Sequence, residues 1–280
     1  MSDKKVWFIT GCSTGFGNIL AKLVLEKGDY VCATARKEDS LSLLKNHYKD
    51  QIVTASVDVT SDIAIERAIE STIGTFGRID VLVNNAGYGN LGAFEEISEN
   101  HLREVFETNF FGLCKVTRLV LPHMRKNKSG TIFNLSSLAG VVASPGFSAY
   151  NASKFAVEGH SEALAQEVKP LGINVVIIQP GPFRTDFAGR SLKQYETMPE
   201  YKEALAATRE RIGQADGKQP GDPIAACELM FDLSRMENPP TNIVLGQVAY
   251  DRIKQKLERV LSGMEEWKDR SLGTDYNYKK

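Results

Sequence analysis

The sequence predicts an α/β fold, a doubly wound parallel sheet of about seven strands flanked by helices on both faces. Three observations carry this. Short apolar runs rich in β-branched and aromatic residues recur along the chain, separated by stretches with apolar residues at helical spacing. The first run feeds directly into a glycine-rich turn, and no internal repeat or low-complexity tract interrupts the alternation. Strand and helix in alternation require crossover connections, which are right-handed and place helices on both faces of a parallel sheet.

Val6-Trp7-Phe8-Ile9 opens the first strand, near 6–10, and Thr10-Gly11-Cys12-Ser13-Thr14-Gly15-Phe16-Gly17 follows at once. Ile19, Leu20, Leu23, Val24 and Lys27 before Gly28 form an apolar stripe at helical spacing and then a stop. Further strand runs lie near 30–35, 52–57, 80–84, 131–136, 173–179 and 242–245. The fourth run ends in Asn84-Asn85-Ala86-Gly87, and the fifth, Thr131-Ile132-Phe133-Asn134-Leu135, delivers Ser136 and Ser137 at its carboxyl end. The segment 182–222 breaks the rhythm, with Phe183, Phe187, Leu192, Tyr195, Met198, Tyr201 and Leu205 set among charged residues. Long excursions of this kind are often lids, and a substrate lid is the expectation here. The alternative is a helical excursion that covers a sheet edge or a subunit contact. Ile253, Leu257, Val260, Leu261, Met264 and Trp267 outline a last amphipathic helix, and the polar tail at 268–280 is expected to be mobile.

Composition narrows the function. Lys and Arg number 34 against 35 Asp and Glu, so no charge surplus points to a nucleic-acid or membrane-surface partner. The first strand starts within a few residues of Met1, with no basic region and long apolar stretch ahead of it, so a membrane segment is not expected. The four cysteines, Cys12, Cys32, Cys114 and Cys227, are widely spaced, which suits a reducing cytoplasm better than a disulfide scaffold. Cys12 reads as a small packed thiol. The four histidines, His47, His101, His123 and His160, lack metal-ligand spacing, and no metal site is expected. A chain of 280 residues can form one domain that buries roughly three-quarters of its unfolded surface, and 1–280 is read as a single catalytic domain.

Two clusters carry chemistry. Glycines between a strand and a helix let backbone approach a pyrophosphate, whose charge the helix N-terminus favours. Taken alone, such a turn is weak evidence and also reads, less readily, as a turn with no ligand. Tyr150 and Lys154 stand four residues apart, with Ser137 thirteen residues upstream of Tyr150. On one helix face the Lys154 ammonium can approach the phenol and favour its ionised form. A phenol starts near pKa ~10, and lowering it by roughly three units needs about 4 kcal/mol, which an ammonium and a cationic nicotinamide could share. Singly, a serine after a strand is a turn residue and a helical tyrosine is packing; the joint spacing outweighs both readings.

With T-G-x-x-x-G-x-G at 10–17, N-N-A-G at 84–87, Asn109, Ser137, Y-x-x-x-K at 150–154 and P-G-x-x-x-T at 180–185, the chain resembles the short-chain dehydrogenase/reductase family from about residue 5 to about 250. The resemblance implies a Rossmann-like fold and assigns roles. Tyr150 would be the general acid/base, Ser137 would bond the substrate oxygen, Lys154 would hold the nicotinamide ribose, and Asn109 would organise a water leading from Lys154 to solvent. A buried Asn can also simply satisfy backbone groups. Gly11, Ser13, Thr14, Gly15, Phe16 and Gly17 would cradle the cofactor, with Asp58 and Val59 at the adenine and Asn84, Asn85, Ala86 and Gly87 along its length. Pro180, Gly181, Phe183 and Thr185 would border the nicotinamide, Phe183 standing where an aliphatic residue is usual. Ala35 occupies the place of the Asp that would select NAD, and Arg36 and Lys37 follow with cations for a 2'-phosphate. NADP is therefore the expected cofactor and NAD the alternative; members often carry a basic residue where this chain has Thr14. The Arg36-Lys37 pair also reads as merely solvated.

These implications make the expected function hydride transfer between NADP(H) and a lipophilic or aromatic ketone, aldehyde or secondary alcohol, of carbonyl reductase type. The alternatives are an NAD(H)-linked alcohol or steroid-like dehydrogenase and, from another class, a non-catalytic dinucleotide sensor. Family helices commonly pair between subunits, so a homodimer or homotetramer is expected. Phe110, Phe111 and the apolar positions of 100–122 read as core or subunit interface.

Overall fold

The computed structural model describes residues 4–187, 189–215 and 217–276. The chain runs through β1 (Val6–Ile9), α1 (Gly15–Glu26), β2 (Tyr30–Ala35), α2 (Ser42–Tyr48), β3 (Ile52–Ser56), α3 (Asp62–Phe76), β4 (Val81–Asn84) and β5 (Gly89–Leu91). It continues through α4 (Glu99–Phe106), α5 (Gly112–Asn127), β6 (Gly130–Leu135), α6 (Ser148–Val168), β7 (Ile173–Pro180) and β8 (Leu192–Gln194). The last elements are α7 (Lys202–Ala215), α8 (Pro223–Arg235), β9 (Asn242–Leu245), α9 (Gln247–Glu266) and α10 (Lys268–Leu272).

Seven strands form one parallel sheet in the order β3-β2-β1-β4-β6-β7-β9. All seven expected strands are present. Successive residues of β1 explain why the sheet is covered twice: Trp7 and Ile9 face a core shared with Leu20 and Val24 of α1, Leu44 of α2 and Met230 of α8. Phe8, between them, faces the opposite core, with Ile65 of α3, Val116 of α5 and Leu164 of α6. A strand with a period of two and both faces apolar can be buried only in this way. Strand order reverses between β1 and β4, and the crevice at the carboxyl ends of those strands is where ligands bind such sheets.

The segment 182–222 carries more structure than its sequence announces. Its β8 pairs in parallel with β5, Gly89 opposite Leu192 and Leu91 opposite Gln194, forming a small second sheet. Neither three-residue strand has enough apolar alternation to be read from the chain. The Glu96 carboxylate then gathers the segment. It accepts from Arg209 at 3.0 Å, from the Met198 N–H at 2.8 Å and from the Ala93 N–H at 2.7 Å. These ties give weight to the covering role that the sequence left open beside a lid.

At the C-terminus the expected amphipathic helix is α9, but only Ala249 and Ile253 of it are buried. Leu257, Val260, Leu261, Met264 and Trp267 are exposed. The first residues of the tail form α10, where Arg270 lies over the Trp267 ring at 5.4 Å and Lys268 pairs with Glu265 at 3.3 Å. Residues 277–280 of the tail expected to be mobile lie outside the described residues.

Candidate active site

The site is one cleft of about 1180 Å³, larger than the ~300–1,000 Å³ of a usual small-molecule pocket and long enough in its lining to take a dinucleotide and a substrate together. Its nucleotide end begins where β1 stops. Gly11 and Gly15 adopt left-handed backbone (φ +72° and +58°), open to glycine without strain. A Cβ on Gly17 would stand 2.4 Å from the Gly11 carbonyl oxygen, so only glycine lets α1 start this close to the turn. Thr14, the N-cap of α1, makes no side-chain capping bond, and the first turn of the helix opens beside Ser13, Thr14, Gly15 and Phe16 on the cleft wall. This is a cradle of N–H groups and positive dipole suited to a pyrophosphate.

The turn is clamped to β4. The Thr10 hydroxyl accepts from the N–H groups of Asn85 at 2.9 Å and Ala86 at 3.0 Å, while the Asn85 amide donates back to the Thr10 carbonyl at 2.8 Å. Asn85, Ala86 and Gly87 line the cleft, as do Arg36, Asp58, Val59, Pro180, Gly181, Phe183 and Thr185. Gly17 and Asn84 do not. Gly17 acts behind the turn, and the buried Asn84 amide donates to Thr117 and to Asn134, both at 2.8 Å, stitching β4 to α5 and β6. Cys12 is a packed thiol, fully buried and donating to the Ile9 carbonyl, with burial pushing its proton affinity up.

The candidate reacting groups come from α6 and the end of β6. Tyr150 and Lys154 are 6% and 5% exposed, and with Ser137 they border the same cleft. Burial pushes the Tyr150 phenol up to about 12, with Ser137 pulling the other way. Burial likewise pushes the Lys154 ammonium down to about 8, opposed by the charge of Glu158. The expectation that Lys154 lowers the Tyr150 pKa is thus not met by the protein's own groups. The ammonium donates to the Leu135 carbonyl at 2.6 Å and lies 5.9 Å from the Tyr150 ring centre, so it is engaged with backbone and not with the phenol oxygen.

Asn109 lies on a π-helical turn between α4 and α5, buried and off the cleft wall. Its side chain is committed: Oδ1 accepts from the Tyr88 N–H at 3.0 Å, and Nδ2 donates to the Tyr88 carbonyl at 2.9 Å and to Ser153 at 3.1 Å. The amide therefore pins the strand-end loop at Gly87 and Tyr88, where a Cβ on Gly87 would lie 3.7 Å from the Lys154 Nζ.

Residues absent from the sequence reading complete the site. Asn151 donates to the Ala139 carbonyl at 2.8 Å and accepts from the Ser144 N–H at 3.2 Å, holding the loop after Ser137 against α6. Glu158, one turn beyond Lys154, is buried, accepts from Gln179 at 2.8 Å and sits near Ser136 under Gly140, its proton affinity raised by burial. The four-residue spacing from Lys154 is the signal that could have found it.

A pyrophosphate cradle at the switch point of a parallel sheet, with buried Tyr150 and Lys154 and the half-buried Ser137 beside it, defines a nucleotide-cofactor oxidoreductase. The family model described as "short chain dehydrogenase" matches residues 5–196, and the chain belongs to that family. It is similar over 96% of its length, at 36% identity, to 99% of Oxidoreductase BOA17 of Botryotinia fuckeliana. A 3-ketodihydrosphingosine reductase of Bacteroides thetaiotaomicron is 45% identical over 65% of each chain. The crystal structure of a short-chain dehydrogenase from Streptomyces avermitilis superposes with a TM-score of 0.90 at 41% identity, covering 97% of this chain and all of that one. The protein is an NAD(P)-dependent short-chain oxidoreductase.

Proposed function

We propose that this enzyme is a carbonyl reductase that uses NADP(H) on lipophilic or aromatic ketones or aldehydes, and on the matching secondary alcohols in reverse. The observation that carries the reading is the buried Tyr150, beside Lys154 and Ser137, on a cleft wall shared with Phe147, Val142, Leu138 and Phe187. A relative named as the reductase of a 3-keto compound supports the same direction.

When bound, the nicotinamide cofactor supplies or accepts the hydride. The protein's own groups manage the oxygen and the proton. Ser137 and Tyr150 hydrogen-bond the carbonyl oxygen, and Tyr150 gives it the proton as negative charge develops there. Lys154 leaves the Leu135 carbonyl to hold the ribose hydroxyls, and its ammonium then offsets the phenolate. Asn109 keeps Gly87 and Tyr88 in place beside it, so its proposed service to proton resupply acts through the loop rather than through its own amide. Gly11, Ser13, Thr14, Gly15 and Phe16 hold the pyrophosphate, Asp58 and Val59 the adenine, and Arg36 the 2'-phosphate. Pro180, Gly181, Phe183 and Thr185 border the nicotinamide.

The 182–222 segment is the substrate lid in this reading. Phe187 and Ile212 face the cleft, and the anchors at β8 and Arg209 limit its travel. Exposed Phe111 and Phe155 support a homodimer or homotetramer, which sedimentation equilibrium tests directly. A cytoplasmic setting is supported by free, buried Cys12, Cys32 and Cys227. Cofactor oxidation, followed across a panel of ketones and aldehydes with NADPH and NADH in parallel, tests the whole reading. Turnover of lipophilic ketones with NADPH is expected; no turnover of any carbonyl with either cofactor overturns it.

A further inference from the structure

The described residues of the cleft wall hold more positive charge than the cofactor and their own ion pairs account for. Lysine and arginine contribute seven of the described lining residues, and aspartate and glutamate only three. Arg190 pairs with Asp186 at 2.5 Å and Lys193 with Glu104 at 3.7 Å, while Asp58 lies at the adenine end and accepts from Thr60. Arg36 and Lys154 belong to the cofactor. Arg211, Lys218 and Arg252 remain. None of the three forms an ion pair among the described residues. The chain as a whole is balanced, 34 cations against 35 anions, so this is a local surplus and not general basicity.

Its location is specific. Arg211 comes from α7 and Arg252 from α9, elements distant in sequence, and both reach the cleft where it is otherwise walled by Val142, Phe147, Ile212 and Val248. Arg252 donates to the Ser144 hydroxyl at 3.1 Å, on the loop that follows Ser137, so its guanidinium stands on the substrate side of the reacting groups. Burial and the neighbouring Arg211 charge both disfavour the Arg252 cation. Like charges brought together on an apolar wall are costly unless an anion comes between them.

We propose that the substrate end of the cleft is an anion-binding subsite: Arg211 and Arg252, with Lys218 beside them, receive a carboxylate or phosphate carried at the far end of a lipophilic carbonyl substrate. The substrate class is then an amphiphile, an apolar body with its carbonyl at Tyr150 and its negative charge at the mouth. The kinetic part of this proposal rests on the carbonyl-reductase reading; the binding part does not.

The test starts with binding. Calorimetric titration of the NADPH-loaded protein with decanoate, decyl phosphate and the neutral decanamide compares three ligands of one apolar length. At least one anion is expected to bind on the order of tenfold tighter than the amide, the scale of one charge-assisted hydrogen bond, and the stronger of the two names the source. Arg252→Gln and Arg211→Gln should each pull that ratio toward one. Because Arg252 also steadies the Ser144 loop, the exposed Arg211, which bonds no other side chain among the described residues, keeps the test clean if the first variant fails to fold. Equal binding of all three ligands, or a ratio unchanged in Arg211→Gln, overturns the subsite. Kinetics follow, with a methyl ketone and the keto acid of the same chain length. A higher kcat/KM for the keto acid, lost in the Arg211 variant, supports the proposal. Anion-selective binding without turnover of either compound leaves the subsite standing and refutes the reductase reading instead.

Discussion

The nucleotide end of the cleft is lined by residues at the carboxyl ends of β1, β2, β3 and β4 and by the start of α1, whereas the substrate end is lined by the 138–147 loop, the 182–222 segment and α9. The first end combines short-range steric rules, left-handed glycines at 11 and 15 and no room for a Cβ at 17, with a clamp between neighbouring strands in which the Thr10 hydroxyl accepts from the Asn85 and Ala86 N–H groups. The second is set by ties over a hundred residues long, such as Glu96 to Arg209 and Arg252 to Ser144. A cofactor common to many enzymes can be held by the first kind of surface. A particular substrate needs the second, because only side chains differ enough to choose one.

The sharpest way to break this division is at the reacting groups themselves. Tyr150→Phe should reduce turnover by about 100-fold or more, since the phenol is the proposed proton donor, while leaving NADPH affinity nearly as it was. Steady-state rates and a cofactor titration on the same preparation decide it. Retention of more than about a tenth of the activity would take Tyr150 out of the mechanism.

Next in size is the cofactor preference. Arg36→Ala should weaken NADPH binding about tenfold or more and leave NADH alone, because a charge-assisted contact to a phosphate contributes ~1.5–3 kcal/mol. Equal dissociation constants for the two cofactors in the unaltered protein would promote the NAD(H) reading and show that Arg36 and Lys37 are only solvated.

The pH dependence follows from Lys154. Its ammonium, pushed down to about 8 by burial, is protonated below that pH and neutral above it. Its hold on the ribose and its support of the phenolate should therefore fall as pH rises through about 8. The expected result is a decline of kcat/KM for the cofactor above that pH, by up to about tenfold per unit. Lys154→Arg, whose guanidinium keeps its charge across this range, should lack the limb whatever its overall rate. A limb that persists in that variant assigns the titration to another group.

At the substrate end, Glu96→Gln should cost about 2 kcal/mol of stability by weakening three hydrogen bonds to a buried carboxylate, a modest figure because Arg209 is partly exposed. Denaturant unfolding measures it, and no change would mean that the segment is held by its apolar contacts alone. The smallest effect sought is in hydrogen exchange over 186–215. A lid gains protection with cofactor and substrate, whereas a fixed cover is slow throughout. Equal slow exchange with and without ligands would remove the lid and leave the wall.

The sheet, its seven strands, the glycine cradle and the Ser137, Tyr150 and Lys154 group were legible in the sequence because each depends on local rules. A buried strand needs a continuous apolar run, a close approach needs glycine, and a shared helix face needs a spacing of four. Asn84 and Gly17 show the limit of that reading: their places in a motif are correct, yet their side-chain positions serve packing between elements and not the cleft surface. The Tyr150 proton affinity could not be read either, since the sequence shows a lysine four residues away but not the burial that outweighs it. Glu96, Asn151, Glu158 and the pairing of β5 with β8 arise only when distant segments meet. The sequence by itself determined the fold and the family and singled out Ser137, Tyr150 and Lys154 as the proposed reacting groups, because an apolar run, a glycine turn and a helical spacing can be read along the chain alone. The tertiary structure decided protonation and the shape and charge of the substrate end, because desolvation and long-range contacts exist only in the packed chain.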